Sequence, residues 1–255
     1  MNYIVSAVTD VGIKKSTNQD SVALKVINTS QGRIVFALLC DGMGGLAKGE
    51  VASAAVIKEF DRWCREELPE LSKNAIDDNT LKAQWENIIT KMNDKIKSYG
   101  RGFGIQLGTT VVAMLITDSR YYIMNVGDSR AYELSDNIYQ LTQDQTFIER
   151  EVSLGHMTRE QAENDPRKSV LLQCVGASDI VYPDMFFGET KKDAVYMLCS
   201  DGFRHVISSE EIYNGIGPNS VYSETDMSNN ATKLIEIVKQ RMENDNISVA
   251  MIRTF

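Results

Sequence analysis

Histidine is scarce in this sequence of 255 residues, which contains only His156 and His205. Neither histidine has a second potential ligand at the spacing of a zinc site, so the sequence predicts no zinc centre. The same scarcity argues against Ser-His-Asp and Cys-His nucleophiles, and therefore against covalent catalysis. His205 follows Asp201 by four residues, but we expect it to be an ordinary surface or loop histidine.

Cysteine is also sparse. The four cysteines are far apart and form no C-x-x-C pair, and Cys40 and Cys199 lie within apolar runs. Buried reduced thiols are typical of a reducing compartment. The N-terminus lacks a basic segment followed by an apolar core, and no apolar run approaches the roughly 20 residues of a bilayer span. We therefore expect a cytoplasmic protein with no membrane partner.

Positively charged residues are fewer than negatively charged ones. The sequence has 27 Lys and Arg residues and 35 Asp and Glu residues, which gives a formal net charge of −8. An acidic chain repels nucleic acid, which is therefore not an expected partner. The apolar fraction of 43% is sufficient for a hydrophobic core. The length is compatible with one domain that spans residues 1–255.

An unbroken apolar run from Ile34 to Cys40 ends abruptly at Asp41 and Gly42. Such a run predicts a buried strand, and the sheet behind it would fix the Asp41 carboxylate. The glycine would let a ligand approach the backbone carbonyl. A carboxylate beside a carbonyl is oxygen-only ligation, which suits Mg²⁺ or Mn²⁺. An isolated Asp-Gly pair, however, is more often a simple turn.

Four further aspartates stand at the ends of predicted strands. They are Asp20, Asp128, Asp201 and Asp245. Together with Asp41 and Gly42, these ordered motifs resemble those of the type 2C family, the metal-dependent serine/threonine protein phosphatases. The resemblance extends from Asp10 to Ile252, and an ordered set is far more specific than any single Asp-Gly pair.

The resemblance implies a metal-binding role for each position. Asp41 would bridge two Mn²⁺ or Mg²⁺ ions, and the Gly42 carbonyl would bind one of them. Asp201 and Asp245 would hold the other ion. Asp20 would reach the site through a metal-bound water. Oxygen ligands at strand ends suit this task because the sheet holds them rigidly.

Whether a third, more weakly bound ion is present is left open. The resemblance assigns Asp128 and Asp201 as its ligands. Catalysis would depend on Asp41 and Asp201 through the water that they help to activate. A metal-bridged hydroxide would attack the phosphate of phosphoserine or phosphothreonine directly. The implied partner is a phosphorylated protein substrate of a Ser/Thr kinase, and we expect the chain to be a monomer.

Three positions depart from the family pattern. Lys15 stands where the family usually has an arginine that binds the substrate phosphate, and lysine lacks the bidentate fork. Leu46 stands where many members have a histidine, a proposed general acid whose loss typically costs about 10²–10⁴ in rate. Gln145 follows Asp144 where the family has histidine. Lys15 is our candidate phosphate ligand, the alternative being a solvated loop lysine.

Two alternatives to a protein phosphatase are open from the sequence. A pseudophosphatase would bind a phosphoprotein or regulator with little turnover, and the lysine and leucine substitutions favour it. A hydrolase of small phosphate esters would use the same ligands. The presence of all five carboxylates favours an enzyme.

The resemblance implies an α+β fold, an α-β-β-α sandwich of two antiparallel sheets flanked by helices, with a flap at about residues 143–188. Apolar periodicity predicts an early helix from Glu50 to Leu68, ended by Pro69. A second helix is predicted from about Thr80, with Gly100 as its C-terminal cap. The final helix is predicted over residues 231–243, after a polar loop.

Overall fold

The computed structural model describes residues 1–43 and 48–255 of the chain. The strands of this part are β1 (Tyr3–Asp10), β2 (Ser21–Thr29), β3 (Gly32–Cys40), β4 (Val111–Ile116), β5 (Arg120–Val126), β6 (Arg130–Leu134), β7 (Ile138–Gln140), β8 (Asp184–Glu189), β9 (Val195–Cys199) and β10 (Ile247–Thr254). The helices are α1 (Gly49–Glu66), α2 (Leu68–Leu71), α3 (Asp78–Phe103), α4 (Phe147–Ser153), α5 (Arg159–Asn164), α6 (Asp201–Arg204), α7 (Ser209–Ile216) and α8 (Glu224–Gln240).

The strands form two antiparallel five-stranded sheets. The first sheet has the order β1-β10-β9-β6-β7, and the second has the order β2-β3-β4-β5-β8. The position of β3 within its sheet explains why its residues from Ile34 to Cys40 are all apolar. Its odd-numbered residues, such as Val35, pack between the two sheets, whereas even-numbered ones, such as Phe36, pack against the cluster that includes α1 and α3. Both faces of this strand are therefore buried, as its unbroken apolar run predicts.

Helices cover the outer face of each sheet. Side chains of α1 and α3 join the outer face of the second sheet, and side chains of α7 and α8 join that of the first. The four layers confirm the predicted α-β-β-α sandwich. Within the described ranges, no helix is long and apolar enough to cross a membrane.

Some predicted boundaries are wrong. Gly100 does not cap α3, because the helix continues to Phe103 and ends at Gly104, whose φ is 64°. Gly100 is needed for a close approach, since a Cβ there would lie 2.5 Å from the Ile105 carbonyl oxygen. Pro69 does not simply end the first helix, because it lies in the first turn of α2, where proline is tolerated.

The final helix is longer than predicted, and some other elements were not predicted. The final helix begins at Glu224 rather than residue 231, with the Ser223 side chain accepting a hydrogen bond from the Asp226 amide. This capping overrides the polar composition that suggested a loop. Strand β8 pairs with β5 at the end of the predicted flap. Helices α4 and α6 are too short for periodicity to identify.

The two tryptophans provide a matched test of the helix-side core. Both are fully buried, but the Trp63 indole donates a hydrogen bond to Gln84 Oε1 at 2.8 Å. The Trp85 indole nitrogen has no partner among the described residues. We expect Trp63→Phe to lower the free energy of unfolding by about 1–2 kcal/mol more than Trp85→Phe, because only the former breaks a hydrogen bond. Urea unfolding followed by circular dichroism measures the difference, and equal losses would contradict this account.

Candidate metal centre

The five predicted aspartates lie at corresponding ends of the strands. Asp20 immediately precedes β2 and Asp41 immediately follows β3, and the flanking Ser21 and Cys40 are register partners. The two carboxylates are therefore at the same end of one hairpin. In the first sheet, Cys199 pairs with both Arg130 and Val249. The remaining aspartates stand just beyond these paired positions: Asp128, Asp201 and Asp245.

The pKa values of Asp20, Asp41 and Asp128 are raised by burial and by the neighbouring carboxylates. Burial raises the pKa of Asp41 well above its ordinary value, and the charges of the other four aspartates each raise it further. Burial raises the pKa of Asp20 to about 7, with Asp201 and Asp245 adding to the shift. Burial and Asp201 likewise raise the pKa of Asp128 to about 7, although Arg204 opposes the shift. Such a cluster is stabilised by bound cations.

Unpartnered oxygens also fit a cation. Among the described residues, neither Asp20 carboxylate oxygen nor Asp201 Oδ1 has a hydrogen-bond partner, although all three are buried. The Ser200 and Ser248 hydroxyls are near enough to lower the pKa of Asp20 in part. The hydrogen bonds of these hydroxyls are nevertheless made to other groups. Ser200 Oγ accepts from the Ser248 amide, and Ser248 Oγ pairs with Thr9 Oγ1. A buried carboxylate without donors is costly unless a cation satisfies it.

The carboxylates do not form a closed set of ligands. Within residues 1–43 and 48–255, no three His, Cys, Asp or Glu side chains converge tightly enough to coordinate one ion. The strand ends fix the backbone, and rotation of the aspartate side chains would bring their oxygens closer together around a cation. The oxygen-only donor set fits Mn²⁺ or Mg²⁺.

The backbone around Asp41 is held on both sides. Its amide donates to Thr110 Oγ1 at 3.1 Å, and its carbonyl accepts from the Thr110 amide at 2.8 Å. Gly42 lies against the first turn of α1, where a Cβ would be 2.5 Å from the Gly49 carbonyl carbon. Sequence reasoning missed Gly49 and Thr110. Gly49 immediately precedes the predicted helix, and glycine is common at that capping position, so the sequence carries no signal of its role.

Asn246 ties the first loop to the last strand. Its Oδ1 accepts from the Gln19 amide at 2.9 Å, and its Nδ2 donates to the Val11 carbonyl at 2.9 Å. Lys15 lies in this loop, and its Nζ is 3.1 Å from Asp245 Oδ1. The structure thus brings the predicted phosphate-binding lysine to the carboxylates and pairs it with one of them.

His205 is not the ordinary surface histidine that we expected. Its Nε2 is 3.5 Å from Asp201 Oδ2, and its Nδ1 is 3.4 Å from Glu243 Oε2. Burial lowers the pKa of His205, but the hydrogen bond to Glu243 and the Asp201 charge outweigh it, so the net shift is upward. Glu243 also accepts the amide of Asp245 at 2.9 Å. The sequence analysis overlooked Glu243, which stands two residues before Asp245 and supports both Asp245 and His205.

An arginine pair stands behind Asp128. Arg204 Nη2 donates to the Asp128 carbonyl at 2.9 Å and lies 3.4 Å from Asp144 Oδ2. Arg130 forms a bidentate pair with Asp144, both bonds at 2.7 Å. Arg130 therefore supports the site indirectly, through Asp144, which Arg204 also contacts. Arg204 was missed, because an arginine in a helix of four residues has no sequence signature.

A cavity of about 480 Å³ adjoins Asp128. It lies between the predicted flap and the loops that carry Asp201 and Asp245. Its charged lining is mixed in sign: Asp128, Arg130, Asp144, Glu149, Arg159, Glu163, Lys168, Arg204, His205 and Glu243. Leu46, the position at which the family general acid is replaced, lies outside the described residues.

The raised pKa values predict pH-dependent stability of the metal-free protein. Asp20 has a reference pKa of 3.8 and a folded pKa of about 7. The folded state therefore binds more protons, and the free energy of unfolding decreases as pH rises between these values. We expect Asp20→Asn to remove part of this decrease and to stabilise the protein in EDTA near neutral pH by at least about 1 kcal/mol, since one pKa unit is about 1.4 kcal/mol.

Urea unfolding across this pH range measures the effect. Asp94→Asn is the matched control, because Asp94 is an exposed carboxylate on α3. Destabilisation by Asp20→Asn, with no change in the pH slope, would contradict the repulsion argument.

Comparison with known proteins agrees with this geometry. The sequence model of the protein phosphatase 2C family matches residues 13–249. A putative protein phosphatase 2C-type of Streptococcus pyogenes is 28% identical over 251 residues, which cover 97% of this chain and 96% of that protein. The solved S. agalactiae serine/threonine phosphatase has a TM-score of 0.84 at 25% identity, covering 100% of both chains.

A second solved structure bears on the metal. It is the catalytic domain of the serine/threonine protein phosphatase PstP in complex with two manganese ions, with a TM-score of 0.78, 27% identity and 99% coverage of both chains. The family match, which spans nearly the whole sequence, decides the assignment. The chain belongs to the protein phosphatase 2C family, the metal-dependent serine/threonine phosphatases.

Proposed function

We propose that this chain hydrolyses phosphoserine and phosphothreonine in proteins at the carboxylate cluster formed by Asp20, Asp41, Asp128, Asp201 and Asp245. The observation that carries the proposal is the gathering of these carboxylates at one end of both sheets, with raised pKa values for Asp20, Asp41 and Asp128 and with buried, unpartnered oxygens on Asp20 and Asp201 among the described residues. An acidic cluster of this kind has no structural benefit without cations to compensate it.

In this proposal, two Mn²⁺ or Mg²⁺ ions are held by the predicted ligands. Asp41, the Gly42 carbonyl, Asp201 and Asp245 would supply oxygen ligands to these ions, and Asp20 would act through a water. When bound, the ions lower the pKa of a water and neutralise charge on the phosphate.

The chain's own residues orient these ligands. The paired hydrogen bonds to Thr110 fix the peptide of Asp41. His205 lies against Asp201 Oδ2, which leaves Oδ1 as the oxygen without a protein partner in the described structure. Asp128, near which Arg204 places a positive charge, is the candidate for a third ion. Its occupancy is part of the proposal.

The cavity beside Asp128 is the proposed position of the substrate segment. Its mixed charges favour a polar peptide over a nucleic acid or a lipid surface. We further propose that the chain is a single domain, that it is located in the cytoplasm and that it is a monomer.

A pseudophosphatase is not favoured, because the similar proteins and solved structures are serine/threonine phosphatases. All five carboxylates are also retained in this sequence. A hydrolase restricted to small phosphate esters uses the same centre, and only substrate comparison distinguishes it.

Turnover of p-nitrophenyl phosphate and of a phosphothreonine peptide tests the proposal. We expect Mn²⁺-dependent activity on both substrates, abolished by EDTA. Asp201→Ala should lower kcat by at least about 10²-fold, because it removes a metal ligand. Asp94→Asn, an exposed aspartate far from the cluster in sequence, should leave activity unchanged.

Activity on the small ester alone would favour the small-ester hydrolase. Metal binding without turnover of either substrate would overturn the enzymatic proposal. Full activity of Asp201→Ala in EDTA would show that the centre is elsewhere.

Lys15 gives an independent test of ligand assignment. A divalent ion and the Lys15 ammonium compete for Asp245 Oδ1, so we expect Lys15→Gln to tighten Mn²⁺ binding by about 2–10-fold. Loss of its charge near the phosphate should at the same time raise KM for both substrates. Lys14→Gln, at the exposed neighbouring lysine, is the control. Isothermal titration calorimetry measures the affinity, and unchanged Mn²⁺ affinity would contradict Asp245 as a ligand.

A further inference from the structure

Gln145 is a buried glutamine whose side chain is fully hydrogen-bonded. It is only 8% exposed. Its Oε1 accepts from the Gly127 amide at 2.8 Å and from Gln173 Nε2 at 2.9 Å. Its Nε2 donates to Asp184 Oδ2 at 2.7 Å and, less closely, to the Asn125 carbonyl at 3.4 Å. Both acceptor positions and both N–H groups are therefore used.

Gln145 holds the Gly127 peptide on two sides. Besides the side-chain contact, the Gln145 amide donates to the Gly127 carbonyl at 2.9 Å. Gly127 has a φ of +103°, and a Cβ there would lie 2.7 Å from Thr110 Cγ2. Its conformation is thus restricted to glycine and depends on its neighbours. The next residue is Asp128, so the same hydrogen bonds fix the backbone from which the Asp128 carboxylate projects.

On its other side, Gln145 binds the segment of residues 172–182. The Leu172 amide donates to the Gln145 carbonyl at 2.8 Å. Gln173 in turn holds Tyr182 by two bonds, accepting from its amide at 2.8 Å and donating to its carbonyl at 2.6 Å. Tyr182 is 69% exposed. A continuous hydrogen-bonded path therefore leads from an exposed residue of the predicted flap region to Asp128.

We propose that Gln145 is a positioning residue that couples segment 172–182 to Asp128. Displacement of the segment by a docked protein substrate changes the hydrogen bonds of Gln173, then those of Gln145 and Gly127. The catalytic consequence rests on the proposed phosphatase function, whereas the coupling itself does not. The cavity beside Asp128 is lined by no residue of segment 172–182, so a small ester bound there would leave the segment in place, and the coupling would distinguish protein substrates from small esters.

Hydrogen exchange of the metal-free protein tests the coupling without reference to activity. In Gln145→Leu, the Gly127 amide and the Tyr182 amide should both exchange about 10-fold faster, because each open state is favoured when its hydrogen-bonded support is lost. In Gln173→Leu, the Tyr182 amide should lose protection, with a smaller loss at Gly127. Unchanged exchange at Gly127 in Gln145→Leu would overturn the proposal.

A compensating pair tests the hydrogen bond itself. Gln145→Glu places a carboxylate against the Asp184 carboxylate, and kcat/KM for a phosphothreonine peptide should fall about 3–10-fold. Adding Asp184→Asn restores a donor opposite the new acceptor and should recover most of the loss. Asp184→Asn alone should be close to wild type, because the asparagine oxygen still accepts from Gln145.

Activity on p-nitrophenyl phosphate separates positioning from general damage. We expect Gln145→Glu to affect the peptide more than the small ester, and the rescue to appear mainly with the peptide. Equal losses on both substrates without rescue would overturn the proposal. If wild type turns over neither substrate, the phosphatase function fails, while the exchange experiment still decides whether the coupling exists.

Discussion

Repulsion among five carboxylates at one end of the molecule is the constraint on which the rest of the structure depends. Burial and the other four charges together raise the pKa of Asp41, so the fold carries an unfavourable term that only cations remove. The two sheets make the arrangement tolerable, because each aspartate stands where a well-paired strand stops. The paired strands fix the backbone positions from which the carboxylates project, and the side chain of Asp245 remains 38% exposed.

The surrounding residues serve this constraint in different ways. Thr110 and Gly49 fix the Asp41-Gly42 backbone by hydrogen bonding and close packing. Asn246 joins the first loop to the last strand, and Glu243 holds the Asp245 amide. These contacts act on the backbone rather than on the carboxylate oxygens. Among the described residues, both Asp20 oxygens and Asp201 Oδ1 are buried without a hydrogen-bond partner, whereas Asp245 Oδ1 is paired with Lys15 and Asp201 Oδ2 lies near His205.

The sandwich could be predicted because the ordered aspartate motifs resemble those of a known family, and individual strands could be predicted from local apolar patterns. An apolar run such as Ile34 to Cys40 must be a doubly buried strand, and Asp41 follows it directly in the sequence. His205 and Arg204 could not be predicted in the same way. Their roles depend on the turn that follows β9 and on contacts with Glu243 and Asp144, which are distant in sequence. The predicted cap of α3 was wrong for a related reason, because Gly100, Gly102 and Gly104 all stand near the helix end and the sequence does not show that Gly100 packs against Ile105 while Gly104 takes the left-handed conformation.

Gln145 shows how a departure from the family pattern acquires meaning only in three dimensions. In the sequence it is a single replacement after Asp144. In the structure its amide matches acceptors on Asp184 and the Asn125 carbonyl as well as donors on Gly127 and Gln173. Glutamine presents a donor and an acceptor at fixed ends and does not ionise near neutral pH. The hydrogen bonds that lead from segment 172–182 through Gln173 and Gln145 to Gly127 are therefore made by amide groups that do not titrate near neutral pH, whereas the pKa of the adjacent Asp128 is raised. A fixed link of this kind transmits a change of backbone position and leaves the charge of the centre unaltered.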